Sequence, residues 1–406
     1  MENSGLTRYQ KGIIAILAIS QFTVVLDFMV MSPLGDFLIK TMNITPQQFG
    51  FAVSSYAFSA GISGLLAAGF ADNFDRKKLL LFFYTGFILG TFFCAIATNY
   101  TFLIAARIFT GLFGGVIGSV VMAIITDLFT IEHRGRVMGF VQMGFAASQV
   151  LGIPVGIYLA NLWDWHAPFF MIVGLSTLIA VTIFVFMKPV VKHLEQQSSQ
   201  NFWEHFKAVA TNKRYRIGFL ATAFLSIGGF LLMPFGSAFA INNLKVSPSQ
   251  LPMIFMATGI SSIIIMPVVG KLCDKYDKFK IFVTGTIWAS IFILIYTHLT
   301  AVPIWMIMSL NILLFMGIMS RMIPASIIMT GIPKMQDRGA FMSINSSLQQ
   351  MSGGLAAALA GTIVVQKDKF SPLEHYPVLG YISVVVMVIC VLLVYRASQL
   401  VGEVSA

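Results

Sequence analysis

Charged residues are scarce in this sequence. Only 10% of its 406 residues are Asp, Glu, Lys or Arg, whereas 57% are hydrophobic. An ordinary soluble domain is about 25% charged, and the mean hydropathy of this chain is +0.85. The composition therefore excludes a soluble globular protein and predicts a chain that crosses a membrane many times.

Cysteine and histidine are also rare, and neither clusters. Cys94, Cys273 and Cys390 lack paired spacing, which predicts neither a disulfide framework nor a zinc site. The 6 histidines fall in predicted loops or at span ends, so no metal cluster is expected. The sequence contains no Walker motif, which argues against an ATP-driven pump, and nothing in it indicates an enzyme.

Long apolar segments are abundant instead. Each is long enough to cross about 30 Å of hydrocarbon, which takes roughly 20 residues. The first is too long for a signal-peptide core and lacks a small-residue cleavage site, so we expect it to remain as the first membrane helix. The sequence thus predicts an all-α membrane protein with twelve transmembrane helices, near residues 12–39, 49–71, 79–98, 101–126, 136–160, 167–188, 215–241, 251–271, 279–299, 302–328, 339–365 and 377–396.

A short charged stretch in the first half of the chain recurs in the second half. Asp72 aligns with Asp274 and Asp75 with Asp277, at one offset of 202 residues, and basic residues follow in both copies. A repeat near half the chain length indicates two copies of one plan. The predicted domains are an N-terminal six-helix bundle, a cytoplasmic linker and a C-terminal six-helix bundle, at residues 1–188, 189–213 and 214–406.

The linker contains a Gln- and Ser-rich run that favours a flexible tether. Asn201 is a candidate N-cap for a short helix in which Phe202, Trp203, Phe206 and Val209 share an apolar face. We expect this helix to lie along the inner membrane surface.

Basic residues are distributed unevenly between the two sides of the predicted bundle. With the N-terminus inside, 20 of the 26 lie in inner loops and tails, and only Lys40, Lys245, Lys367 and Lys369 lie in outer loops. This bias predicts that both termini are cytoplasmic. Topology therefore explains the net charge of +10 without a nucleic-acid partner.

Three charged residues lie deep inside predicted spans, namely Asp27, Arg107 and Arg321. Such residues cost a few kcal/mol to bury, so they usually face a cavity or a partner. Asp27 lies roughly 16 Å and Arg107 roughly 9 Å from the outer ends of their spans. Long side chains can bridge that difference, so a pair is one possibility, and helix bridging without a transport role is the alternative. Arg321 lies in the inner half, where we expect it to meet substrate or a polar group across the cavity.

The repeated charged stretch resembles the signature that members of the major facilitator superfamily of transporters carry between their second and third helices. Asp72, Arg76 and Lys77 keep the pattern, whereas Ala68 and Asp75 stand where the family has glycine. The resemblance implies two six-helix bundles around a central cavity that opens to either side of the membrane in turn.

The same resemblance implies a gate at the cytoplasmic mouth of the cavity. Asp72 would meet the N-terminus of the eleventh helix, where backbone N–H groups and the helix dipole favour an anion. Arg76 would pair with Asp127 at the inner end of the fourth helix. Lys77 and Asp274, from the two copies of the signature, complete the expected gate.

Arg107 and Gly111 resemble the fourth-helix signature of the superfamily, an Arg followed by a small or polar residue and Gly. In proton-coupled members that Arg is implicated in proton transfer, and Asp27 lies in the first-helix region where efflux members often carry an acidic group. A low-dielectric cavity favours the protonated form of a carboxyl group, and a nearby Arg favours the charged form. Substrate arriving between Asp27 and Arg107 would change the protonation state, which predicts proton antiport.

The fifth span contains Gly152, Pro154 and Gly156. Small residues let helices approach closely and proline removes a backbone hydrogen bond, so these residues predict a hinge. The spacing resembles the antiporter motif of the superfamily, in a variant more like that of bacterial sugar-efflux and arabinose-efflux-type permeases. Generic helix packing is the alternative explanation.

The favoured function is export of a small organic molecule in exchange for protons across a bacterial inner membrane. The proton gradient supplies the energy, no cofactor is expected, and the expected partners are substrate, protons and lipid bilayer around a monomer. One alternative is uptake of an anionic metabolite held by both arginines, and another is a non-transporting receptor on the same fold. We expect the substrate cavity to be lined by Asp27, Arg107, Arg321, Gln21, Asn311 and Asn345.

Overall fold

The computed structural model describes residues 6–191, 194, 202–334 and 336–405, apart from the side chains of Ala68, Asp72, Ile131, Glu132, Phe202, Trp203 and residues 402–405. The described residues form helices and one isolated β-bridge, between Val365 and Glu374. The first half contains α1 (Arg8–Val30), α2 (Gly35–Met42), α3 (Pro46–Ala68), α4 (Arg76–Ala95), α5 (Tyr100–Leu128), α6 (Ile131–Ala147), α7 (Ile153–Leu162) and α8 (Ala167–Phe186). The second half contains α9 (Phe202–Thr211), α10 (Lys213–Phe230), α11 (Gly236–Asn242), α12 (Leu251–Lys275), α13 (Lys278–Thr297), α14 (Ile304–Gly331), α15 (Arg338–Ile363) and α16 (Tyr376–Ser405).

These helices build twelve membrane spans, which confirms the fold class predicted from the sequence. The first, fifth and seventh spans are each interrupted, and consist of α1 with α2, α6 with α7, and α10 with α11. Among the described residues, 11 spans are apolar enough to cross a membrane by length and composition alone. The remaining span, α15, is more polar because Ser, Asn and Gln residues occupy its first half.

The spans alternate in direction, so their ends collect at two faces. At the face where α1 begins, here termed the terminal face, the Lys188 N–H bonds the Tyr9 hydroxyl. At the opposite face, termed the distal face, the Tyr100 hydroxyl donates a hydrogen bond to the Gln48 carbonyl oxygen. Functional residues can therefore be placed by their height between the two faces.

The second acid of the repeated charged stretch begins a helix in each half. Asp75 is the N-cap of α4 and accepts the Lys77 N–H at 3.0 Å, and Asp277 is the N-cap of α13 and accepts the Lys280 N–H at 2.9 Å. A carboxylate at this position bonds backbone N–H groups that have no partner within the helix. The repeat thus has a local structural role at the terminal face.

The two halves meet along α3 and α15, whose contact surfaces are rich in small residues. A Cβ on Gly50 would lie 2.7 Å from the Ala357 carbonyl oxygen, and a Cβ on Gly61 would lie 2.5 Å from Met351 Cγ. Glycine therefore allows the two backbones to approach more closely than any other residue would. This close packing joins the two halves along α3 and α15.

The linker helix α9 packs against the C-terminal half. Val209 is 2% exposed and clusters with Tyr215 and Phe341, and Phe206 packs against the same cluster. These two residues of the apolar face are covered by neighbouring helices, and the position of α9 along the membrane surface stays a prediction. The predicted N-cap, Asn201, lies outside the described residues.

Candidate functional site

A buried ion pair links the first and fourth spans. Arg107 Nη1 lies 2.9 Å from Asp27 Oδ2, and both side chains are 0% exposed. Thr91 of α4 donates a hydrogen bond to Asp27 Oδ1 at 3.2 Å. Removing one partner from such a pair costs about 3–5 kcal/mol, because the other charge stays buried without compensation. The pair is therefore a strong constraint on how α1, α4 and α5 pack.

Tyr56 of α3 covers the guanidinium group of this pair. The Arg107 guanidinium carbon lies 4.4 Å from the centroid of the Tyr56 ring, within cation–π distance. Gly111 permits this contact, since a Cβ there would lie 2.5 Å from the Tyr56 carbonyl oxygen. In the part of the chain that the structure describes, Arg107 Nε and Nη2 have no hydrogen-bond partner. Arg107 is thus compensated by Asp27 and by the tyrosine ring.

A central cavity of about 350 Å³ lies between the halves. Most of its wall comes from the C-terminal half, with contributions from α1 and from the fifth span. Of the six residues predicted to line the substrate cavity, the wall includes Asn311, Arg321 and Asn345.

The other three predicted cavity residues lie elsewhere. Asp27 and Arg107 face each other inside the N-terminal bundle, and this pairing keeps both away from the wall. Gln21 lies where the first, fourth and fifth spans meet, near Gly118 and Gly144. Any contact between these three residues and substrate stays a prediction.

Arg321 of α14 is the charged residue of the cavity wall, and it is 1% exposed. Its Nε donates a hydrogen bond to Thr286 Oγ1 at 3.0 Å, and its guanidinium carbon lies 5.6 Å from the centroid of the Phe282 ring. No ion pair joins Arg321 to a carboxylate among the described residues, and its Nη2 has no hydrogen-bond partner there. The positive charge of Arg321 is therefore only partly compensated.

At the terminal face, Arg76 Nε lies 2.9 Å from Asp127 Oδ2. Lys77 Nζ donates a hydrogen bond to the Phe184 carbonyl oxygen at 2.8 Å, and Asp274 is exposed. The side chain of Asp72 lies outside the described residues, so its expected contact with the start of α15 stays a prediction. The gate role of the whole group is likewise untested.

The fifth span changes its helical form at the predicted hinge. A π-helical segment, Ser148–Gly152, separates α6 from α7, and Pro154 lies in the first turn of α7. A Cβ on Gly152 would lie 2.7 Å from Leu26 Cδ1, and Gly156 lies against Val30 in the same way, at 3.1 Å. The two glycines therefore let the fifth span pack on α1 next to Asp27, and motion at this point stays a prediction.

The sequence did not reveal a group of polar contacts between the halves at the distal face. Asn242 Nδ2 donates a hydrogen bond to Asp36 Oδ1 at 2.7 Å, and Lys40 Nζ bonds Asp36 Oδ2 at 2.7 Å and Asn242 Oδ1 at 3.3 Å. Ser237 donates to the Ser32 carbonyl oxygen at 3.0 Å. These contacts, here termed the distal latch, hold the first and seventh spans together. The paired residues Asp36 and Asn242 are more than 200 residues apart in sequence, so no local pattern predicts their contact.

A helical membrane fold of two halves around a central cavity is the architecture of a transporter. The sequence profile of the Major Facilitator Superfamily matches residues 17–235 and 218–400. The chain belongs to that family, as the charged stretch between the second and third spans predicted.

Relatives and a solved structure agree with this assignment. Multidrug resistance protein 2 of Bacillus subtilis (strain 168) is 23% identical over 290 residues, 69% of this chain and 72% of that protein. A probable sugar efflux transporter of Helicobacter pylori (strain ATCC 700392 / 26695) is 22% identical over 253 residues, 62% of this chain and 63% of that protein. The crystal structure of a D-xylose-proton symporter matches with a TM-score of 0.77 at 15% identity, over 94% of this chain and 97% of that one, and shows the shared fold.

Proposed function

We propose that this transporter exports a small organic molecule in exchange for protons, and that Asp27 carries the proton. The observation that supports this most strongly is the fully buried pair of Asp27 and Arg107. A carboxyl group in that position can exist in two protonation states. It is either charged and paired with Arg107 or protonated and neutral. Protonation of Asp27 therefore releases Arg107.

Asp27 is also well placed to act on the cavity and on the distal latch. Two residues further along α1, Met29 lines the cavity, and α1 ends at Val30. Ser32 follows and bonds both Met233 and Ser237 of the C-terminal half. A change in charge at Asp27 can thus reach the cavity wall and the closure between the halves through little more than one helical turn. This supplies a physical route from protonation to alternating access.

The same proposal includes the direction of transport, the location of the protein in the cell and its monomeric state. The names of two relatives, multidrug resistance protein and sugar efflux transporter, support export. The excess of Lys and Arg at the terminal face supports a cytoplasmic position for both termini in a bacterial inner membrane. The transporter works as a monomer that uses the proton gradient as its energy source and needs no cofactor.

Exchange with protons is tested in proteoliposomes loaded with one of three probes: ethidium, lactose or 2-naphthoate. An acidic exterior accelerates exit of a transported probe through an antiporter and slows exit through a symporter, whichever way the protein is oriented. We expect acceleration in the wild type and loss of this pH dependence in Asp27→Asn. Asp277→Asn is the matched control, because Asn also caps a helix and the residue is exposed.

Full pH-gradient-driven transport by Asp27→Asn would contradict the proposal. Slower exit under an acidic exterior would instead establish the second candidate function, proton-coupled uptake. That candidate is retained because Arg321 can hold an anionic metabolite and because a D-xylose-proton symporter shares the fold.

A further inference from the structure

We propose that the cargo is a small apolar organic acid whose anionic group binds Arg321. This inference rests on the proposed transport function and deepens it, because it assigns a substrate class to the same cavity. It does not depend on the direction of transport or on the role of Asp27.

The charges of the cavity wall favour an anion over a cation. Among the residues that the structure describes, the wall contains Arg321 and no Asp or Glu. A cationic cargo would lose its hydration without gaining a counter-charge, and it would be repelled by Arg321. A neutral cargo would leave the buried guanidinium as poorly compensated as it is now. An anion gains a charge-assisted hydrogen bond and supplies the missing counter-charge.

Two buried polar atoms of residues in the wall lack partners. Among the described residues, neither Arg321 Nη2, a donor, nor Asn345 Oδ1, an acceptor, has a hydrogen-bond partner. Arg321 lies ten residues before the end of α14 and Asn345 seven residues after the start of α15, both counted from the terminal face. At 1.5 Å per residue these heights are roughly 15 and 10 Å, so the two residues line the same cavity at similar depth. An acid group can accept from Arg321 while a hydroxyl or amide of the same cargo donates to Asn345.

The rest of the wall suits an apolar body. Most of its side chains are apolar, and the aromatic and methionine side chains among them adapt well to flat or irregular apolar ligands. The wall includes Phe145, Phe230, Phe255, Tyr296, Phe315 and Met319. An acid with an aromatic or aliphatic body can therefore place that body against the apolar part of the wall and its acid group at Arg321.

The test compares three probes that share a naphthalene body and differ in charge: 2-naphthoate, 2-naphthamide and 2-naphthylmethylammonium. Binding to the full-length protein in lipid nanodiscs is measured by equilibrium dialysis at neutral pH, and uptake by empty nanodiscs is subtracted. We expect naphthoate to bind at least about tenfold more tightly than the amide, which is the ratio that one hydrogen bond to a charged group supplies. The ammonium probe should bind most weakly.

Variants assign the preference to one side chain. Arg321→Gln should bind naphthoate and naphthamide equally, and Arg321→Lys should retain part of the preference because it keeps the charge. Arg216→Gln removes an exposed arginine at the terminal face and is the matched control, with an unchanged preference. Tightest binding of the ammonium probe, an unchanged acid preference in Arg321→Gln, or no saturable binding of any probe would overturn the proposal. The dialysis uses no proton gradient, so its outcome is independent of the exit experiment with Asp27→Asn.

Discussion

Each half of this transporter has a buried arginine deep inside a span, Arg107 in the fourth and Arg321 in the tenth, and the surroundings of the two differ. Arg107 pairs with Asp27 at 2.9 Å, lies 4.4 Å from the Tyr56 ring centroid and does not reach the cavity wall. Arg321 donates a hydrogen bond to Thr286, interacts with the Cys390 thiol, has no ion pair among the described residues, and lies in the wall. The protein itself supplies a counter-charge to Arg107, whereas among the described residues it supplies none to Arg321.

This difference indicates that the two halves have separate roles in the proposed transport cycle. The N-terminal half contains the ion pair that protonation would open under the proposed function, while the C-terminal half supplies most of the cavity and its positive charge. The distal latch joins the two halves, since Asp36 follows α1 and Asn242 ends α11. In this proposal, proton and cargo act at separate sites and control one rearrangement.

The largest expected effect is on stability, where two substitutions should change the free energy of unfolding in different directions. Arg107→Met leaves Asp27 buried without its partner and should destabilise the protein by about 3–5 kcal/mol. Arg321→Met removes a poorly compensated charge and should be neutral or stabilising, by up to about 4 kcal/mol. Thermal unfolding of both variants in one detergent measures the difference.

A double variant provides the control for that comparison. Asp27→Leu combined with Arg107→Met removes both charges and should recover much of the stability lost in Arg107→Met alone. Equal destabilisation by Arg107→Met and Arg321→Met would show that the two charges are compensated alike and would contradict the comparison.

A carboxylate placed next to Arg321 should give it an internal counter-charge, as Asp27 does for Arg107. Thr286 already accepts the Arg321 Nε–H at 3.0 Å, so Thr286→Asp supplies an internal counter-charge. We expect naphthoate affinity to fall about tenfold, to the level of naphthamide, because the protein then occupies the site that the probe's acid group needs. Thr286→Asn is the uncharged control. An unchanged naphthoate affinity in Thr286→Asp would show that the acid group of the probe does not bind Arg321.

The smallest expected effect concerns the distal latch. Asn242→Ala removes the hydrogen bond to Asp36 and leaves the bond between Lys40 and Asp36 in place. A loss of about 1 kcal/mol should raise the distally open population roughly fivefold. A membrane-impermeant maleimide should then label Ala240→Cys, a cavity position that is 3% exposed, correspondingly faster. Equal labelling rates with and without Asn242→Ala would show that the latch does not hold this face closed.

The sequence predicted the features that depend on local pattern. Apolar runs defined the spans, and one charged stretch identified the family. The break between α1 and α2 escaped detection, because residues 31–34 include apolar side chains that hydropathy cannot distinguish from helix. The π segment escaped for a related reason, since a shift in backbone hydrogen bonding leaves no compositional signal.

Features that depend on the packing of distant spans were less accessible. Depth along the helices left the pairing of Asp27 with Arg107 open, because lateral position is set by contacts such as Gly111 against Tyr56. Arg321 was expected to meet substrate or a polar group across the cavity, whereas its hydrogen bond goes to Thr286 of the neighbouring α13, so contact with substrate stays a prediction. The sequence cannot indicate that Asp27 turns away from the cavity.

The central claim is that Asp27 gains and loses a proton during transport. Infrared difference spectroscopy of the protein in lipid, recorded as the pH is lowered with no carboxylic acid added, observes that proton through the carbonyl stretch of a protonated carboxyl group. The account predicts such a band in the wild type and in Asp277→Asn, and its absence in Asp27→Asn. An identical band in Asp27→Asn would show that another carboxyl group titrates, and Asp27 would then be a structural partner of Arg107 alone.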